Sequence, residues 1–139
     1  MKTTCNVAFS GQESITMPNG KQHPMYLIGQ VVSGLVTISS SSQVKINKIT
    51  VWGGFKVHGK GETENFFSIL NEDDKNQISP EKPVVLPFSM QIPDDGPLSY
   101  DGECVKIDWL IKVDIDIPWA LDEHSYHYIV VVPCIDDHK

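Results

Sequence analysis

The stretch CVKIDWLIKVDIDIPW, residues 104–119, sets an apolar side chain at every second position and mostly charged ones between. Such a period marks a strand with one buried face, because successive side chains of extended backbone point to opposite sides. The pattern recurs in many short segments. No window of 11 or more residues repeats apolar positions at i, i+3, i+4 and i+7, so no amphipathic helix is written. Strands are expected at 4–9, 25–28, 31–39, 44–51, 55–60, 65–70, 84–92, 104–117 and 125–132. Turn-forming text divides them: MPNGKQ, SSSS, GG, NEDDKNQ, PDDGP and ALDEH. The reading is an all-β chain of two packed sheets in one domain, 1–139, with a short flexible tail after about residue 133.

Local breaks in the pattern refine it. Within 44–51 the apolar positions change parity, from Val44 and Ile46 to Ile49 and Val51. A phase change inside a strand marks a β-bulge, with Lys48 as the extra residue. Pro87 stands in the middle of PVVLPFSMQIP. Proline cannot donate to a ladder, which places this segment at a sheet edge or at a switch between sheets. The 104–117 segment is long enough to be the central strand of its sheet.

The acids of that segment do not read as a site. Along a strand Asp108 and Asp114 stand about 20 Å apart, and Asp114 and Asp116 about 6.6 Å apart. Beside Lys112 they read as the solvated face of a strand. His124 and His127 lie three apart in extended backbone and diverge. Cys134, Asp136, Asp137 and His138 fall in the tail. HGKG at 58–61 lacks the spacing of a phosphate loop and reads as a hairpin. Neither a GxSxG motif nor a Cys/His pairing with an orienting acid is written. The expectation is no catalytic residue, no cofactor and no bound metal.

Charge narrows the partners. The 11 cations are all lysine against 18 acids, a net charge of -7. Nucleic acid needs clustered cations and largely arginine chemistry, so no nucleic-acid partner is expected. An anionic membrane surface is disfavoured for the same reason. Cys5, Cys104 and Cys134 form no CxxC pair and read as reduced thiols. No signal-peptide core and no apolar run long enough for a membrane span is present, so a cytoplasmic protein without direct membrane insertion is expected.

Four pieces occur in a telling order: MYLIGQVVSGLVTI at 25–38, VKINKITVWGGFKV at 44–57, LPFSMQIP at 86–93, and PLSYDGECVKIDWLIKVDIDIPW at 97–119 followed by YHYIVVVP. Together they resemble the N-terminal half of an arrestin-like domain. That superfamily includes receptor-binding arrestins, α-arrestin ubiquitin-ligase adaptors, retromer cargo subunits and bacterial sporulation-control proteins. The resemblance implies an immunoglobulin-like sandwich acting as an adaptor or scaffold. Full-length members carry two such domains. Here no arginine is available for a phosphate-sensing core and no PPxY motif recruits a ligase, so no functional residue is carried over.

The functional expectation is a non-catalytic interaction module that binds a protein partner through an edge strand or a concave sheet face. Val85, Pro87, Phe88 and Trp119 are the candidate partner-binding residues. The alternative is a self-assembling sandwich, a homo-oligomer whose edges pair between copies. A small-ligand or metal-binding enzyme is the remote third class.

Overall fold

Alternation becomes pairing in the computed structural model, which describes residues 3–10, 14–16, 20–74, 77–119 and 121–133. The described residues form strands and turns and no helix. One sheet holds three strands: β1 (Thr3–Phe9), β4 (Val31–Ser40) and β9 (Val84–Gln91), with β4 in the middle. The larger sheet contains β2 (Ser14–Thr16), β3 (Gln22–Leu27), β6 (Lys48–Gly59), β7 (Glu62–Asp73), β11 (Val105–Asp116) and β12 (Glu123–Val132). Its order is β2-β3-β12-β11-β6-β7, and the short β10 (Tyr100–Asp101) pairs with the start of β11. All of its pairings are antiparallel except β12 with β3. A two-stranded ribbon of β5 (Val44–Lys45) and β8 (Gln77–Ile78) completes the set.

The core lies between the sheets. Val32, Val36 and Ile38 of β4 and Leu86, Phe88 and Met90 of β9 belong to the same buried cluster as Ile49 and Val51 of β6, Trp109, Ile111, Val113 and Ile115 of β11, and Ile129 and Val131 of β12. Each set is one parity of its strand, as half-buried sheets require. The strand expected to be central is central: β11 pairs β12 on one side and β6 along its whole length on the other. Its first residue, Val105, is exposed, although it shares the parity of Trp109 and Ile111.

Three expectations need correction. The Gly53–Gly54 pair is not a turn but lies inside β6, which runs unbroken for 12 residues. A Cβ on Gly53 would lie 2.6 Å from the Leu70 side chain, and one on Gly54 would lie 2.0 Å from the Phe66 carbonyl oxygen, so the glycines let β7 approach. Lys48 is not a bulge residue. It opens β6 opposite Asp116, and the parity change marks the chain leaving β5 and entering a different sheet. The bulge falls between Val51 and Trp52, which face Asn71 and Ile69, leaving Leu70 of β7 as the extra residue. Finally, β2, β8 and β10 fall outside the expected strands, being too short to establish a period, and the expected strand at 44–51 divides into β5 and the start of β6.

Candidate interaction surfaces

The outer face of the three-stranded sheet is built in rows by its register. Ala8, Leu35 and Pro87 form one row across β1, β4 and β9, and Asn6, Thr37 and Val85 form the next. Thr4 and Ser39 pair beyond them, and Ser33 with Ser89 and Val31 with Gln91 extend the face the other way. No lysine, aspartate or glutamate occupies any of these positions. Val31, Leu35 and Val85 are each about half exposed. An exposed sheet face free of charge, with an apolar centre, matches the middle of a protein interface, where charged residues are depleted.

Pro87 and Val85, two of the residues singled out from sequence, thus stand side by side on this face. Phe88 does not join them. It is 4% exposed and packs edge-on against Phe9 with ring centroids 5.9 Å apart, over Gly34. The strand period that turns Pro87 outward turns Phe88 into the core, so its side chain offers no surface.

β9 is an edge strand, as Pro87 implied, since it pairs with β4 alone. The Ile92 amide donates to the Gln30 carbonyl at 2.9 Å, which fixes the phase of the ladder. By alternation, Val84, Leu86, Phe88 and Met90 bond to β4 while Val85, Pro87, Ser89 and Gln91 turn their backbone groups to the free edge. At the middle of that edge Pro87 has no N–H, and its carbonyl accepts the Asn71 side-chain amide at 2.7 Å. The edge is closed at its centre against an added strand.

The outer face of the large sheet is charged and self-satisfied. Asp114, read as a solvated acid, accepts the Trp52 indole N–H at 2.9 Å and the His124 Nδ1–H at 2.6 Å, and lies 3.5 Å from the Lys112 ammonium. Asp108 faces His58 at 3.4 Å. Lys56 of β6 crosses β11 to reach the Tyr126 and Tyr128 rings of β12 at 5.2 and 5.6 Å. Lys112 of β11 crosses β6 to lie 6.0 Å from the Phe67 ring of β7. Between these crossing stems Leu110 is fully buried although it points away from the core. The wet ladder expected here is a mesh of paired side chains.

Cys5 and His127 meet at the opposite side of β12. Cys5 Sγ lies 3.8 Å from His127 Nε2, and the Ser125 hydroxyl 2.5 Å from the same nitrogen. The Thr3 hydroxyl donates to the Glu123 carboxylate nearby. Burial pushes the Cys5 thiol above its ordinary 9.0, opposed by its bond to Ser125, and pushes His127 below 6.5. Both groups therefore rest neutral, the reverse of what arms a thiol for attack. This pairing spans 122 residues, and no local pattern announces it. His124 and His127 diverge to opposite faces, as strand geometry requires. Among the described residues no three His, Cys, Asp or Glu side chains are grouped so as to hold a metal ion; Cys134, Asp136, Asp137 and His138 lie outside them.

Two hollows remain. One of about 590 Å³ opens where β12 stops pairing with β11 and β10 takes over, walled by His23, Tyr100, Lys106, Asp108 and Tyr128. The other, about 730 Å³, is walled by residues 45–47 and by Pro118 and Trp119. Trp119 follows β11 directly and is fully exposed with φ +64°.

Comparison with known proteins agrees with this architecture. The family model of the arrestin (or S-antigen) N-terminal domain matches residues 71–138. Arrestin domain-containing protein 17 of Caenorhabditis elegans is 27% identical over 132 residues, covering 77% of this chain and 31% of the relative. The chain therefore spans about a third of that curated relative. The sporulation control protein Spo0M of Bacillus subtilis has a similar fold, with a TM-score of 0.57 and 18% identity over 93% of this chain and 49% of that one. The E. coli curli protein CsgC, at 9% identity and a TM-score of 0.43 over 90% of this chain and 97% of that one, is too distant to argue from. Over residues 71–138 the chain is thus similar in sequence to the arrestin N-terminal domain, and over nearly its whole length it is similar in fold to Spo0M.

Proposed function

We propose that the chain is a non-catalytic adaptor module that works in the cytoplasm and docks a protein partner on the outer face of its three-stranded sheet. The observation that carries this is the charge-free surface around Leu35, Val85 and Pro87 on a molecule whose other outer face is meshed with ion pairs. Arrestin-domain proteins generally act in protein interaction and adaptor roles, which supports the same reading. The edge of β9 is a poor alternative, because Pro87 and Asn71 close its centre.

Affinity capture from the native cell, run in parallel on three chains, tests the proposal. Partners retained by the wild type and by Ile69→Lys, on the other sheet, are expected to be lost with Leu35→Lys. Equal capture by all three chains refutes it. Light scattering of the same proteins addresses self-assembly: a concentration-dependent dimer that Leu35→Lys dissolves assigns the face to a second copy of this chain instead.

A further inference from the structure

The large sheet ends in an open edge. β7 is its last strand and pairs with β6 alone. A two-residue turn at 60–61 joins the two strands, with Gly59 facing Glu62, and so tight a turn makes its flanking pair a hydrogen-bonded one. By alternation from there, Glu62, Glu64, Phe66 and Ser68 bond to β6, while Thr63, Asn65, Phe67 and Ile69 turn their N–H and C=O groups to the free edge. Along 62–69 there is no proline and no lysine, and the bulge at Leu70 lies beyond. The devices that guard an exposed edge are therefore missing here, whereas Pro87 and Asn71 close the edge of β9. Phe66 is 48% and Ile69 50% exposed, and three positions apart on a strand they flank the edge on opposite faces.

The strand is its own complement. Hydrogen-bonded partners in an antiparallel pair must both be outward-turned residues, and the set Thr63, Asn65, Phe67 and Ile69 is symmetric about Phe66. One two-fold register uses all of it, with Thr63 opposite Ile69, Asn65 opposite Phe67 and Phe66 opposite its own counterpart. Sliding one copy by two residues leaves Ile69 or Thr63 unpaired. In the full register Phe66 forms a non-hydrogen-bonded pair, the closer kind, at the axis. Phe66 already stacks on Phe55 with centroids 4.9 Å apart, so the pairing extends that stack into a row of rings through both copies. Glu64 falls opposite Ser68 and Glu62 opposite Leu70, so no like charges meet directly. A two-fold contact occupies the β7 edge of both copies and closes on itself.

We propose that β7 is a self-association edge: two copies of this chain pair it antiparallel about a two-fold axis at Phe66, which joins their large sheets into one. The contact uses no residue of the three-stranded sheet's outer face.

Sedimentation velocity at concentrations up to about 0.5 mM tests this on wild type, Asn65→Pro, Phe66→Lys and Leu35→Lys. Asn65→Pro removes an N–H that faces the edge and spares the bonds to β6; Phe66→Lys sets two like charges opposite each other at the axis. The expected result is a reversible wild-type dimer that both variants weaken about tenfold or more and that Leu35→Lys leaves unchanged. Each copy carries a net charge of -7, so the dimer should tighten as salt is added. Crosslinking fixes the register: with Cys5, Cys104 and Cys134 changed to serine, Phe66→Cys should form an inter-chain disulfide under mild oxidation and Ile69→Cys should not. A dimer indifferent to Phe66→Lys, or one that Leu35→Lys dissolves, overturns the proposal. A chain that stays monomeric throughout also overturns it, and loss of a captured partner with Asn65→Pro would then give the edge to a strand of another protein.

Discussion

Replacing Trp119 by glycine should leave the fold as stable as wild type or slightly more so, the reverse of what removing a tryptophan does in a core. The left-handed backbone at φ +64° costs an L-residue roughly 1–2 kcal/mol, and glycine escapes that cost. Glycine in turn enlarges the unfolded ensemble by about 0.4–1 kcal/mol. No burial is lost, because the side chain is already fully exposed. The balance runs from about zero to roughly 1.5 kcal/mol in favour of Trp119→Gly. Trp119→Ala keeps the strained backbone, so the difference between the two variants reads the strain less the entropy that glycine adds to the unfolded chain. By contrast, Trp109 is 3% exposed and donates its indole N–H to the Pro97 carbonyl at 2.8 Å, so its truncation should cost about 3–5 kcal/mol. Urea denaturation with an unchanged m-value is the assay, read as the shift in midpoint. A loss beyond about 1 kcal/mol in Trp119→Gly would show that the indole packs on the chain in solution. The case for an exposed binding anchor would fall with it.

Three further outcomes follow from the packing. Phe88→Ala should cost about 3–5 kcal/mol while its neighbour Val85→Ala stays within roughly 0.5 kcal/mol, a contrast that thermal melts resolve and that similar losses would contradict. Gly54→Ala forces a Cβ to within 2.0 Å of the Phe66 carbonyl oxygen and 2.9 Å of the Phe67 Cα, backbone atoms that no rotamer change moves aside. A loss of roughly 1–3 kcal/mol is expected, together with faster amide exchange along the β6–β7 pairing. His127 is held below its ordinary 6.5 by burial, so the unfolded chain binds a proton more readily as pH falls through that value. Stability should therefore decline below about pH 6.5 until the folded-state value is passed, and His127→Gln should flatten that part of the curve. Identical pH profiles for the two proteins would refute the assignment.

What the sequence revealed and what it hid divide along one physical line. β9 shows perfect buried–exposed alternation, so its inward and outward sets could be read directly, and Pro87 located the sheet edge through its missing N–H. The same strand shows the limit of a list of exposed-looking residues. Phe88 is adjacent to Pro87 in sequence and opposite to it in space. The glycine pair at 53–54 was misread because glycines commonly punctuate turns, whereas here they serve a close approach by β7 that only the paired strand reveals. The contacts of Cys5 with His127 and of Lys56 with Tyr128 bridge 122 and 72 positions, and depend on a strand order that local periodicity does not encode.

Strand order also decides which surfaces are left for a partner. β11 lies between β6 and β12, so Asp114 is taken up by Trp52, His124 and Lys112, Asp108 by His58, and Lys56 of β6 by Tyr126 and Tyr128. A partner docking there would have to break ion pairs and desolvate each member, a cost that apolar contact rarely recovers. The three-stranded sheet presents no such obstacle, since Leu35, Val85 and Pro87 have no charged neighbours in register and shed only weakly held water on contact. Of the two main sheets, only the larger carries charged residues in its strands, and that leaves the outer face of β1, β4 and β9 uncharged and available. The reasoning has a sharp consequence for design: Leu35→Lys should abolish docking without unfolding the domain, because Leu35 is 46% exposed and its strand is held from both sides.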